Sequence, residues 1–198
     1  MPTNSTNNCD INIMIRGIGG QGVKLIGTII GQAALFDKRH AVQSMKYGSA
    51  ITGGETRSEI KVSTKKIIYP RVTEIDVYVA LTQDDLDKYF ESKVYITAME
   101  VARNVPKAIK DKTLIAPMLT VAEKAGNIRA ANMVLAGILN QLFNLATEES
   151  FIKAIEYLLP IKHHTVNIKA FKMGQDLDLS QENDKKILEL ADVCKIIE

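Results

Sequence analysis

Four glycines fall within the six positions Gly17-Ile18-Gly19-Gly20-Gln21-Gly22, inside the stretch IMIRGIGGQGVKLIG (13–27). The spacing is G-x-G-x-x-G, after an apolar run and before a helical pattern. At such a junction a helix N-terminus presents free N–H groups and a partial positive charge. Glycines let a phosphate or carboxylate approach those groups. Gln21 can donate a hydrogen bond there, or it can cap the turn. The motif by itself also suits a tight turn with close helix packing, and both readings stay open at this point.

A second cluster adds to the first. KYGSAITGGETRSE (46–59) joins Lys46, Tyr47, Gly53, Gly54 and Arg57. It leaves the C-terminal end of the second expected strand, beside the first glycine loop, and ligands bind at that edge of an α/β sheet. Two glycine loops with a lysine and an arginine make a phosphate pocket there. The alternative is a surface loop that needs glycines only for its turns. Its length and polarity favour function.

Other chemistries are not written in the chain. A dinucleotide site needs an acid about 20 residues on, at the end of the second strand. VQSMKYG stands there, with Gln43, Ser44 and Lys46, while Asp37 comes too early. That weakens the nicotinamide reading. No Ser/His/Asp order, nucleophile elbow or metal-spaced ligand set is evident, so no catalytic residue is assigned. Cys9 and Cys194 lie at opposite ends with no CxxC, and they read as two unrelated thiols rather than cluster or zinc ligands. His40, His163 and His164 lack ligand spacing.

The elements that must hold these loops follow from periodicity. INIMIR (11–16) reads as a buried strand. VKLIGTIIGQAALF (23–36) reads as a helix with Val23, Ile26, Ile30 and Ala33 on one face. Gly27 and Gly31 share a side of it, which predicts close approach of another backbone. HAVQSM (40–45) is the next strand, completing a βαβ unit expected to cross over right-handed. TRSEIKVS (56–63) alternates as a half-exposed strand, with KIIYP pairing to it as a hairpin. IDVYVAL (75–81), KVYITA (93–98) and KTLIAP (112–117) are further strands. Thr82 caps a helix over 82–90. Helices are expected over 127–145 (deeply buried), 147–160 (capped by Thr147), 165–177 and 180–197. The last carries Ile187, Leu190, Ala191, Cys194 and Ile197 on one stripe. The expected fold is α/β, three-layered α/β/α, with a mostly parallel, mixed sheet and a helical C-terminal portion. Residues 1–10 are expected to form a disordered tail, 11–178 the domain and 179–198 a C-terminal helix.

The chain has 198 residues, 46% hydrophobic content and a formal net charge of +2, enough for one full core and too little charge to suggest nucleic acid. No run approaches the ~20 apolar residues of a membrane span. MPTNSTNNCD is no secretory signal, which points to the cytoplasm.

The ordered motifs GIGGQGV, YG four residues before GG, YPRV followed by DVYVALTQDDLDKY, and ANMVLAGIL resemble the gamma subunit of the 2-oxoacid:ferredoxin oxidoreductases, from about Ile11 to about Gly174. The resemblance implies a non-catalytic subunit. Alpha, beta and ferredoxin-like delta partners would hold thiamine diphosphate and iron–sulfur clusters. The complex would decarboxylate a 2-oxoacid oxidatively, to acyl-CoA, reducing ferredoxin. It implies 2-oxoglutarate first and pyruvate next, and coenzyme A at the edge of this chain, against Gly17, Gly19, Gly20, Gln21, Gly22, Lys46, Tyr47, Gly53, Gly54 and Arg57. The family loop commonly reads Tyr-Gly-Pro-Glu-x-Arg-Gly-Gly; here Ser49, Ala50 and Thr52 replace its proline, glutamate and arginine, and Arg57 lies three residues beyond Gly54, the last glycine of the loop. The alternatives are a stand-alone nucleotide-binding or regulatory module and, behind it, an NAD(P)-dependent oxidoreductase.

Overall fold

Six strands and seven helices make up the computed structural model, which describes residues 10–48, 54–179 and 182–192, the side chains of 182–184 excepted. The strands are β1 (Asp10–Ile18), β2 (His40–Tyr47), β3 (Glu55–Ser63), β4 (Val77–Ala80), β5 (Val94–Ala98) and β6 (Thr113–Ala116). They lie in one sheet in the order β2-β3-β1-β4-β5-β6. β3 pairs antiparallel with both β1 and β2, while β1, β4, β5 and β6 pair in parallel. Only β3 therefore runs against the rest. β1, helix α1 (Val23–Phe36) and β2 still form a parallel crossover, but β3 is inserted between its two strands.

The register sorts the side chains into two faces. Ile11, Ile13 and Ile15 of β1 share a face with Ile60 and Val62, Val77 and Val79, Val94 and Ile96, and Leu114. All are buried in one cluster with α1, α3 (Met118–Ala125), α4 (Ala131–Phe143), α5 (Glu148–Leu158), α6 (His164–Gln175) and α7 (Glu182–Asp192). The opposite face holds Met14, Tyr78, Ala80 and Tyr95, packed with Leu86 of the short α2 (Gln83–Asp87), with Ile109, and with the partly buried Ile75, Tyr89, Ala102 and Val105 of the connecting loops. The two helical layers are thus very unequal. Thr82 and Thr147 cap α2 and α5 by accepting from the N–H groups of Asp85 and Ser150. Ile187 and Ala191 of α7 turn into the domain's own core, and Lys186 Nζ pairs with Asp111 at 3.2 Å. Cys9, Cys194 and Ile197 lie outside the described residues.

Three local expectations are corrected. KIIYP forms no strand; residues 64–76 run as irregular chain, with Ile68 91% exposed. β3 is less exposed than expected: Thr56, Ser58, Ile60 and Val62 are buried on one face, and on the other Glu59 and Ser63 are buried while Arg57 and Lys61 lie partly buried in ion pairs with Glu59 and Asp10. Gly27 and Gly31 do not admit a backbone: a Cβ on Gly27 would overlap the Gln43 amide and Ser58 hydroxyl, and one on Gly31 would meet the Ala41 methyl at 3.8 Å. The true backbone crossing joins α4 to α6, where a Cβ on Gly137 would overlap the Phe171 carbonyl and one on Gly174 that of Val134.

Candidate functional site

The glycine loop is shaped by its own backbone and by Gln21. β1 ends at Ile18, and the Gly19 N–H donates to the Gly54 carbonyl at 3.2 Å, so the second glycine cluster does sit against the first. Gln21 closes the turn. Its Oε1 accepts from the Ile18 N–H at 2.8 Å, and its Nε2 donates to the Leu81 carbonyl at 3.0 Å, beyond the end of β4. The side chain is committed to holding two strand ends together. Gly20 (φ 97°) and Gly22 (φ 76°) occupy the left-handed region, where a side chain is strained. A Cβ on Gly22 would also overlap the Asn132 amide, and one on Gly17 the Gln21 amide. Around Gly20 there is open space.

Gly22 is the N-cap of α1, and no side chain caps that end. Among the described residues no acceptor takes the N–H groups of Gly20, Gly22, Val23, Lys24 or Leu25. No acid lies in the first turn, whereas Lys24 does. The unpaired N–H groups, the helix dipole and a lysine give this end a positive potential. They open onto a groove of about 550 Å³ whose lining includes Gly19, Gly20, Gly22, Lys24, Thr28 and Tyr47. On the far side of the loop lies a second cavity of about 240 Å³, walled by Leu81, Val101 and Met118 with Arg129 and Asn132. Asn132 is 9% exposed, and its Oδ1 has no partner. Sequence reasoning missed it; its signal was an amide in the first turn of a mostly apolar helix.

Lys46 and Arg57 are placed differently from the one pocket expected. They are register partners, as are Arg57 and Arg16, so the three cations form a row across β2, β3 and β1. Tyr47 pairs with Thr56 on the opposite face, beside the groove. Alternation along the strand separates Lys46 from Tyr47. Lys46, Tyr47 and Arg57 nevertheless meet, with Gly48 and Glu55, in a small depression of about 140 Å³. Arg57 Nη2 pairs with Glu59 Oε1 at 2.5 Å, and its guanidinium lies 5.4 Å from the centre of the Phe90 ring. Gly53 lies outside the described residues, as do Ser49, Ala50, Ile51 and Thr52.

Arg16 was also missed, although a cation ending the apolar run INIMIR was visible. It is 4% exposed and donates to Glu55 Oε1 at 2.7 Å, the Lys88 carbonyl at 2.8 Å and the Tyr78 hydroxyl at 3.2 Å. Asp85 Oδ1 stands 3.4 Å from Nε. Burial pushes the Tyr78 hydroxyl up to about 12, against the pull of Arg16. Burial also raises the Asp85 carboxyl, opposed by the Thr82 hydrogen bond and by Arg16. The Arg16–Glu55 pair ties the base of the second glycine loop to β1 and α2. Asp37, the early acid, binds the Thr147 N–H and hydroxyl and the Ser150 hydroxyl at the start of α5, so it is engaged away from the glycine loop. Among the described residues no three His, Cys, Asp or Glu side chains gather where a metal could sit, and no helix is long and apolar enough to cross a membrane.

Comparison with known proteins agrees with this geometry. The family model described as pyruvate ferredoxin/flavodoxin oxidoreductase matches residues 12–177. The 2-oxoglutarate synthase subunit KorC of Methanocaldococcus jannaschii is 33% identical over 172 residues, covering 83% of this chain and 92% of that one. The crystal structure of the keto/oxoacid ferredoxin oxidoreductase gamma subunit from Geobacter sulfurreducens superposes with a TM-score of 0.72 at 28% identity, covering 94% of this chain and 98% of that one. A 2-oxoglutarate:ferredoxin oxidoreductase from Magnetococcus marinus, with 2-oxoglutarate, coenzyme A and succinyl-CoA bound, shares the fold at a TM-score of 0.72 and 22% identity, over 84% of this chain and 30% of that one. With the match spanning the glycine loop, the sheet and the buried helices, this chain belongs to the pyruvate ferredoxin/flavodoxin oxidoreductase family, as a gamma-type subunit of 2-oxoacid oxidoreductases.

Proposed function

We propose that this chain serves a 2-oxoglutarate:ferredoxin oxidoreductase, and that the complex converts the 2-oxoacid oxidatively to its acyl-CoA with reduction of ferredoxin. The preference for 2-oxoglutarate over pyruvate is supported by the match to KorC along nearly its whole length. The alpha and beta partners would carry thiamine diphosphate and the ferredoxin-like delta partner iron–sulfur clusters. The gamma chain itself contributes no reacting group. Its part is to assemble the complex and to hold an anionic portion of coenzyme A at the uncapped start of α1.

The observation that carries the site is the set of unpaired N–H groups at Gly20, Gly22 and the first turn of α1, with Lys24 beside them and open space over Gly20. Phosphate oxygens accept from such a helix end with favourable charge and geometry. Tyr47 lines that groove, and the Gly54 carbonyl accepts from the N–H of Gly19, another of its lining residues. Lys46 and Arg57, across the sheet, would act on the neighbouring second glycine loop rather than on the same phosphate.

Hydrogen exchange in the assembled complex, with and without coenzyme A, tests this. Slowed exchange at residues 20–25 on adding coenzyme A is expected. Unchanged exchange there, while coenzyme A saturates the reaction, would contradict the site.

A further inference from the structure

The cavity on the far side of the glycine loop has no part in the anion site. It lies beyond the carboxyl ends of β4 and β5, between the loop, the first turn of α3 and the start of α4, and holds about 240 Å³. At the ~30 Å³ that a water takes in the liquid, this is room for about eight non-hydrogen atoms, far fewer than coenzyme A carries. Leu81, Val101, Met118 and Ile128 make most of its wall apolar. Two polar side chains interrupt that wall. Arg129 is exposed, and its guanidinium makes no ion pair among the described residues. Asn132 is nine-tenths buried, and its Oδ1 has no partner. A buried acceptor left unpaired is costly to a fold, and what it lacks is a donor. The two residues stand three apart, where a short 3-10 turn (Ile128–Ala130) runs into α4. Residues at that spacing are neighbours on a helical surface, so the groups they bind must be neighbours on one ligand.

We propose that this cavity binds a small aliphatic 2-hydroxy acid, with its carboxylate on Arg129, its hydroxyl donating to Asn132 and its carbon chain against Leu81, Val101 and Met118. A turn of the Asn132 side chain brings its oxygen to the ligand. One guanidinium matches one carboxylate, in the paired geometry that arginine favours. A second carboxylate would lie unpaired against apolar wall, which rules out 2-oxoglutarate here. A 2-oxo acid of the same size only accepts hydrogen bonds and leaves Asn132 Oδ1 unrelieved. A plain aliphatic acid does the same. The volume sets the chain at about four to five carbons. This site is separate from the one proposed for coenzyme A at the start of α1, although Gly20 borders both cavities.

The test is isothermal titration calorimetry of the full chain with 2-hydroxy-3-methylbutanoate as probe. Saturable binding with a Kd of about 1 mM or tighter is expected. Three analogues should each bind at least tenfold more weakly: 2-oxo-3-methylbutanoate and 3-methylbutanoate, which lack the donor, and 3-methyl-2-butanol, which lacks the carboxylate. Neither 2-oxoglutarate nor coenzyme A should displace the probe. Arg129→Gln, at an exposed position, should weaken binding at least tenfold with the melting temperature kept. Ala131→Leu should fill the cavity and abolish binding. Asn132→Leu should erase the advantage of the hydroxyl, so that 3-methylbutanoate binds as well as the probe, a change that a merely structural role would not produce. If Asn132→Leu fails to fold, the other two variants still decide. No saturable binding by the wild type at millimolar probe would overturn the site, as would unchanged affinity in both Arg129→Gln and Ala131→Leu. Equal or tighter binding of the 2-oxo analogue would overturn the assignment of the ligand. Displacement by coenzyme A would make the cavity part of the coenzyme site and overturn the inference, leaving the subunit reading intact.

Discussion

Two glycines of one motif should respond to alanine by different amounts and for different reasons. Gly20 has φ 97° and open space where a Cβ would go. Gly20→Ala therefore meets only the left-handed backbone penalty, about 1 kcal/mol. For a chain of this size that lowers the melting temperature by ~2–4 °C. Gly22 has φ 76°, and its Cβ would overlap the amide of Asn132, held in the first turn of α4. Overpacking adds to backbone strain there, for a total of about 3 kcal/mol. Calorimetry or thermal fluorescence on the isolated chain reads both. The functional half of the prediction concerns the methyl at position 20, which intrudes on the space over unpaired N–H groups. Gly20→Ala should raise the KM for coenzyme A several-fold in the reconstituted complex, with the chain still folded. Equal destabilisation by the two substitutions would refute the steric argument. An unchanged KM in a folded Gly20→Ala complex would refute the anion site and leave the loop as packing.

The remaining predictions concern how the framework is held. Hydrogen bonds from Ser150 and Thr147, with Arg39 nearby, hold the Asp37 carboxyl below its ordinary value in spite of burial. Its contribution is therefore full above the unfolded pKa of about 3.9 and is lost as pH falls through the lower folded value. Asp37→Asn should cost about 1 kcal/mol at pH 7, discounted for partial exposure, and the difference should vanish in acid, as followed by melting curves against pH. Gln21→Ala removes the bonds to the Ile18 N–H and the Leu81 carbonyl and should cost about 1–3 kcal/mol in denaturant titrations, more than a surface glutamine would. Gly137→Ala forces α4 away from α6 and should cost about 3 kcal/mol or abolish soluble expression, whereas Gly31→Ala, with its nearest neighbour at 3.8 Å, should be neutral or stabilising by melting temperature.

Much of this arrangement is written locally. The apolar run, the glycine spacing and the 3.6-residue period place β1, the loop and α1 within two residues, because each signal is carried by neighbours in the chain. The position of β3 is not local: alternation tells which residues share a face but not which strands lie beside it, so insertion between β1 and β2 went unread. Lys46, Tyr47 and Arg57 do share a depression, as closeness in sequence suggested, yet only Tyr47 also lines the groove at the glycine loop, a difference already present in the two-residue period. Gly27/Gly31 and Gly137 look alike as small residues in helices. Only the structure shows that the first pair faces sheet side chains and that Gly137 faces the backbone of α6. Arg16 and Asn132 ended or interrupted apolar patterns, and their roles depend on partners about 40 to 110 residues away. KIIYP carried the apolar content of a strand without a neighbour to pair with, and Pro70 removes a donor at its end.

An add-back assay with purified subunits tests the central claim most directly. The thiamine and ferredoxin-like subunits would be mixed with 2-oxoglutarate, coenzyme A and a viologen acceptor, with and without this chain. Coenzyme A-dependent viologen reduction that appears only when this chain is added, at equimolar ratio, is the expected result, the chain alone remaining inactive. Full 2-oxoglutarate-dependent activity without it, or turnover by this chain alone supplied with thiamine diphosphate, would contradict the account.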